Sequence, residues 1–140
     1  MLTYDPRTIS SKVYKNLDDL KNKTPNESDR KEQKSQAVEL YTYISTWGLL
    51  RLKAEEFALS QDNKRRVVQS LFQTLGEIAF SGQPNPFLGR DGLNYLTGKD
   101  ASEYLGFTGL ALQVAREFAF WAEAIYPKTQ TNPNPPTVTN

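Results

Sequence analysis

Residues 62–79 read Asp62-Asn63-Lys64-Arg65-Arg66-Val67-Val68-Gln69-Ser70-Leu71-Phe72-Gln73-Thr74-Leu75-Gly76-Glu77-Ile78-Ala79. Val67, Val68, Leu71, Phe72, Leu75, Ile78 and Ala79 recur at the 3.6-residue period of a helix, and polar side chains fill the positions between them. A strand would instead alternate apolar and polar residues at a period of two. Asp62 stands where a helix cap is expected, because its carboxylate can accept from orphan amides of the first turn. Gly82 suits the other end, and Gln83-Pro84-Asn85-Pro86 prevents continuation because proline lacks the amide donor and crowds the residue before it.

The same signals extend to both sides. Asp5-Pro6 opens a first helix with an acceptor followed by a proline whose missing donor costs nothing at that position, and Ile9, Val13, Leu17 and Leu20 form its apolar stripe. Asn22 to Asp29 is a solvated connector with no apolar residue to bury. Ser28 or Asp29 then caps a second helix. Its first turns, Arg30 to Gln36, are polar all round and are expected to project into solvent or toward a partner, while Ala37, Leu40, Tyr41 and Ile44 pack. Gly48 predicts a break before Leu49, Leu50, Leu52 and Phe57, with Trp47 beside it as a large core plug.

On the C-terminal side, a short helix is expected from Asp91 to Leu96. Asp100 with Glu103 then makes a variant capping box. Tyr104, Phe107, Ala111, Val114, Phe118 and Ile125 mark one face of the last helix, and Leu105, Leu112, Ala115, Ala119 and Ala122 mark the adjacent one. So wide an apolar arc belongs to a central helix, which ends at Pro127. The reading is an all-α fold: a compact bundle of about five helices forming one domain over residues 1–127, followed by a disordered tail over residues 128–140. That tail places Pro133, Pro135 and Pro136 among Thr and Asn and has too little to bury.

The chain has 140 residues, a formal net charge of +1, and neither Cys nor His. This removes disulfides, thiolate nucleophiles, imidazole bases and the ligands that most zinc, iron and copper sites need. Glu39, Glu55, Glu56 and Asp62 are the carboxylates that could gather around magnesium, but nothing in their spacing fixes a site. Gly98-Lys99 is followed by Asp100, where a phosphate-binding loop needs Ser or Thr. No apolar run approaches the roughly 18 residues of a membrane span, and Met1 to Arg7 lacks a signal-peptide core. The expectation is a soluble cytoplasmic protein with no catalytic residues, no cofactor and no metal.

Charge is unevenly distributed along the chain. Residues 1–66 carry a small basic excess and residues 67–140 a small acidic one. Lys31, Lys34, Arg51 and Lys53 flank the break at Gly48, and Lys64, Arg65 and Arg66 crowd the start of the clearest helix, the end of its dipole that favours carboxylates. From composition alone a solvated face is the first explanation of such clusters, and a phosphate-contacting patch the second. Phe120 and Trp121 fall partly outside the apolar stripe of the last helix and are candidates for a protein contact.

The order of these packing residues resembles the small helical subunit of type III-B CRISPR effector complexes, the Cmr-module small subunit family. Leu40, Ile44, Gly48 and Leu49 match one of its patterns. Tyr104, Leu105, Thr108, Ala111, Leu112, Ala115, Ala122, Glu123 and Ala124 match another. The family's Pro and Asn stand here as Tyr41 and Trp47, and the Trp and basic pair of its last helix as Glu117, Ala119 and Phe120. The resemblance implies a noncatalytic structural subunit that stacks in several copies along the groove where guide RNA pairs with target RNA. It implies as partners the effector backbone subunits, the large signalling subunit and further copies of itself. With the last helix departing from the pattern, RNA-backbone contact falls to Arg51, Lys53, Lys64, Arg65 and Arg66. The rival reading is a protein-only helical adaptor of another multisubunit assembly. The two are separated by whether those basic residues share one face.

Removing residues 128–140 is expected to leave the melting temperature unchanged in a thermal scan, because the segment offers almost nothing apolar to anchor. A fall of several degrees would show that it packs.

Overall fold

The computed structural model describes residues 5–128, which form six helices and, among the described residues, no strand. They are α1 (Pro6–Asn22), α2 (Glu27–Trp47), α3 (Leu49–Ala58), α4 (Asp62–Ala79), α5 (Asp91–Thr97) and α6 (Ala101–Ile125). The all-α bundle expected from the sequence is what the chain forms. Its helix count is six because the break at Gly48 separates two full helices. Beyond Lys128, the tail called from residues 128–140 lies outside the described residues.

α6 packs along α1 and α2, while α4 fills the space between α1, α2 and α3. Val13 and Leu17 of α1, Leu40 and Ile44 of α2, Leu71 and Phe72 of α4, and Val114 and Phe118 of α6 meet in one core. The caps follow the chemistry of their residues. Asp5 Oδ1 accepts from the Arg7 amide at 2.9 Å, and Asp100 Oδ1 accepts from the Glu103 amide at 2.8 Å. The cap of α2 is Asn26, whose Oδ1 accepts from the amides of Ser28 and Asp29, so the helix begins earlier than either of those residues could start it. Asp62 is not the cap of α4. Gln61 occupies that position, and Asp62 uses its carboxylate on Arg65 and Arg66 instead.

Two expectations about burial are corrected. The polar opening of α2 is exposed on one side only, at Lys31 and Ser35, and packs on the other: Gln33 is 0 % exposed, and Gln36 is buried too. Tyr126 donates its hydroxyl to Gln33 Oε1 at 2.9 Å, Gln33 Nε2 donates to Thr24 Oγ1 at 3.0 Å, and Thr24 donates onward to the carbonyl of Leu20 at 2.8 Å. A buried amide is tolerable only when its groups are paired, and this relay pairs them while tying the ends of α1 and α6 to the start of α2. Burial pushes the Tyr126 phenol far above its ordinary range, so it stays a donor. Trp47, expected as a core plug, is 55 % exposed. Phe87, from the irregular segment after α4, fills an equivalent role as a fully buried aromatic.

Phe87 sits among Phe72, Phe80, Tyr95 and Phe107, with ring centroids 5.2 to 6.2 Å away. Asn85 holds the segment in place. Its Nδ2 donates to the carbonyls of Phe72 and Gln73, its Oδ1 accepts from the Phe87 amide, and its amide lies where a Cβ on Gly76 would overlap it.

Phe72→Ala and Phe118→Ala are each expected to destabilise the fold by about 3–5 kcal/mol in denaturant unfolding, as fully buried aromatics do. A loss below about 1 kcal/mol at either position would mean the core is not where α4 and α6 place it.

Candidate nucleic-acid interface

The sequence nominates Arg51, Lys53, Lys64, Arg65 and Arg66, and the fold separates them. Lys53 is the clearest correction. It is 1 % exposed, and its Nζ lies 2.8 Å from Glu56 Oε1, itself buried, and 4.8 Å from the centre of the Phe72 ring. Its stem passes so close to Gly92 that a Cβ there would meet it. An ammonium enclosed by a carboxylate, two rings and a backbone cannot reach an RNA phosphate, so Lys53 is part of the core. Its register shows why: on α3, Leu49, Leu52, Lys53 and Glu56 form the buried face.

Arg65 and Arg66 are engaged along their own helix. Arg65 Nη1 lies 3.0 Å from Asp62 Oδ1 and its Nη2 donates to the carbonyl of Leu59 at 2.8 Å, while Arg66 Nε reaches Asp62 Oδ2 at 2.8 Å. These contacts answer part of the dipole argument, since one carboxylate in the same turn pairs with two of the three cations at this N-terminus. Arg66 also faces away from the others, into a polar groove between α1 and α4 with Asn16, Asp19 and Gln73. Lys64 points the opposite way. It lines a groove of about 490 Å³ with Glu39, Tyr43 and Trp47 of α2, Glu55 of α3 and Leu59 beyond it. The five residues therefore do not make one face.

Arg51 belongs with Lys64. Its guanidinium lies 4.4 Å from the centre of the Trp47 ring, at the α2–α3 break that borders the groove. Among the described residues, neither Arg51 nor Lys64 makes an ion pair within 4.0 Å. The groove is balanced in charge, because Glu39 and Glu55 line it as well. Tyr43 donates to Glu55 Oε1 at 3.3 Å, and both burial and that neighbouring carboxylate push its phenol upward.

Sequence reasoning missed Tyr43 and Trp47 as site residues. The signal was present in their spacing: Glu39, Tyr43 and Trp47 stand four residues apart and share one side of α2, at the edge of the packing stripe. A second exposed cation and aromatic pair joins α2 to α6, where Arg116 donates to the Tyr41 hydroxyl at 3.0 Å and holds that phenol below its ordinary range. Phe120 is 60 % exposed on α6, edge-on to Trp121, whose ring in turn packs at a tilt against Tyr14 with centroids 4.9 Å apart.

The carboxylates considered for magnesium are dispersed. Glu56 pairs with Lys53 in the core, Asp62 with the two arginines, and Glu39 and Glu55 line the groove; among the described residues no three acidic groups come together to hold a metal ion. No helix among the described residues is long and apolar enough to cross a membrane. No family model matches the chain, and no curated protein does.

Glu56→Ala is expected to destabilise the protein by about 3–5 kcal/mol, because it strands the Lys53 ammonium in the core, whereas the double change Lys53→Met with Glu56→Leu recovers most of that loss. Equal midpoints for Glu56→Ala and wild type in urea would show that the pair is solvated.

Proposed function

We propose that the chain is a noncatalytic small subunit of a type III CRISPR RNA-guided effector complex of the cytoplasm. In this reading it stands in several copies along the groove in which guide RNA pairs with target RNA. The effector backbone subunits, the large signalling subunit and neighbouring copies are its partners. The observation that carries the reading is the juxtaposition of an exposed Trp47 under Arg51 with Lys64 across a groove. Proteins that track single-stranded RNA combine cations for the backbone with aromatic faces for the bases. The order of packing residues through Leu40, Ile44, Gly48 and Leu49, and again through Tyr104 to Ala124, supports the family assignment.

With so few cations free, affinity per copy is small, and repetition along the RNA supplies the rest. Arg51 and Lys64 are the backbone contacts in this reading; Lys53 is withdrawn, and Arg65 and Arg66 have Asp62 to leave before they could take part.

A specific observation favours the protein-only adaptor as a second reading: the basic residues are split between two grooves, and α6 presents Phe120 beside Trp121. Purification from the native host separates the two. Small RNA and a large subunit copurify in the first case, and protein partners without RNA in the second.

Changing Arg51 and Lys64 together to Ala in every copy is expected to weaken target RNA binding by the intact assembly at all sequences alike, and to lower the salt slope by something under one unit per lost contact. Unchanged affinity and slope, in a complex of verified composition, would remove these residues from the RNA path.

A further inference from the structure

The groove beside Trp47 is unsuited to what its basic neighbours first suggest. Glu39 and Glu55 stand on its walls, so a phosphate drawn inward by Lys64 meets two carboxylates. It is equally unsuited to an aliphatic side chain, since Val38 and Leu59 are the only aliphatic residues in a wall otherwise made of hydroxyls, amides, charged groups and aromatic rings. What the walls complement is a flat, neutral heterocycle with N–H donors at its edge. The volume of about 490 Å³ admits one.

We propose that the groove is a slot for a single unpaired nucleobase of single-stranded RNA. This rests on the RNA-binding reading above and deepens it. The base stacks on the exposed surface of the Trp47 and Arg51 pair, whose 4.4 Å separation already joins an indole and a guanidinium into one platform. Carboxylate oxygens accept from exocyclic amino groups, so Glu39 and Glu55 favour an amino-bearing base, adenine, cytosine or guanine, over uracil. Glu55 is steadied by Tyr43, whose hydroxyl donates to its Oε1. Lys64, on the same groove, takes the phosphate next to the base.

The test uses the full chain carrying Trp121→Phe, so that Trp47 is the sole tryptophan emitter. Three probes are titrated at low salt: a short single-stranded RNA of adenine and cytosine, the same strand with its bases removed, and oligo-uridine. The expected result is quenching of Trp47 by the first strand and binding of the abasic strand that is weaker by about 5- to 150-fold, the range for one stacked base. Trp47→Ala, followed by the anisotropy of a fluorophore on the strand because the variant has no tryptophan, should lose the same factor on the base-bearing strand and nothing on the abasic one; it retains the wild-type circular dichroism because the side chain is largely exposed. Glu39→Gln with Glu55→Gln should bring oligo-uridine level with the amino-bearing strand. Equal binding of base-bearing and abasic strands with Trp47 emission unmoved overturns the slot and leaves RNA contact through phosphates standing. Failure of every strand to bind, to the isolated chain and to the assembled complex in which its copies repeat along the RNA, overturns the slot together with the RNA-binding reading on which it rests.

Discussion

The architecture depends on the way the chain turns at Gly48. With φ at +92° this residue adopts a backbone conformation that side chains disfavour, and it provides no side-chain acceptor for the start of α3. The missing cap comes from a distant element: the Leu50 amide donates to the Tyr104 hydroxyl oxygen at 2.8 Å, and that oxygen lies 3.3 Å from where a Cβ on Gly48 would stand. Glycine is required here for the angle, and its missing side chain also eases the approach of Tyr104. The result is that α2 and α3 diverge, Leu49 and Leu52 turn into the core, and Trp47 is left on the outside of the corner with Arg51 over it. A continuous helix across these residues would have no groove beside Trp47.

Much of the fold was legible because its signals are local. The apolar periods of α1, α4 and α6, the Asp5-Pro6 and Asp100 starts, the break at Gly48 and the short helix after Asp91 all follow from backbone chemistry within a few residues. What sequence reading mistook depends on contacts across the chain. Gln33 looks like a solvated residue until Tyr126 and Thr24 arrive to pair it, and Trp47 looks like core until its helix ends beneath it. The site was less legible than the fold for the same reason. A lysine in sequence is a surface charge by default. Only the placement of Glu56 and the rings of Phe57 and Phe72 makes Lys53 an interior group.

Charge in this protein thus serves two separate purposes, and sequence position does not distinguish them. Lys53 and Glu56 neutralise one another within a helical turn, and Asp62 cancels one of the two charges of Arg65 and Arg66, so these five groups leave one unit of charge outside the molecule. Arg51 and Lys64 keep their charge for the exterior, and Arg116 is turned to Tyr41 on another face. A near-neutral chain can in this way hold a local cationic and aromatic surface without a basic overall balance.

Asn85 and Phe87 make the stretch between α4 and α5 different in kind from an ordinary connector. One end of the latch is fixed in the notch at Gly76, and two residues on, a phenyl ring is locked among four others. Chain length between those two anchors is therefore fixed. An extra residue there would either lift the amide from its notch or withdraw the ring from the aromatic cluster. The solvent-facing stretch just before the latch, around Gln83, carries no such double constraint. Length variation among descendants of this sequence has room to accumulate on that side of Asn85, while the step from Asn85 to Phe87 keeps its count.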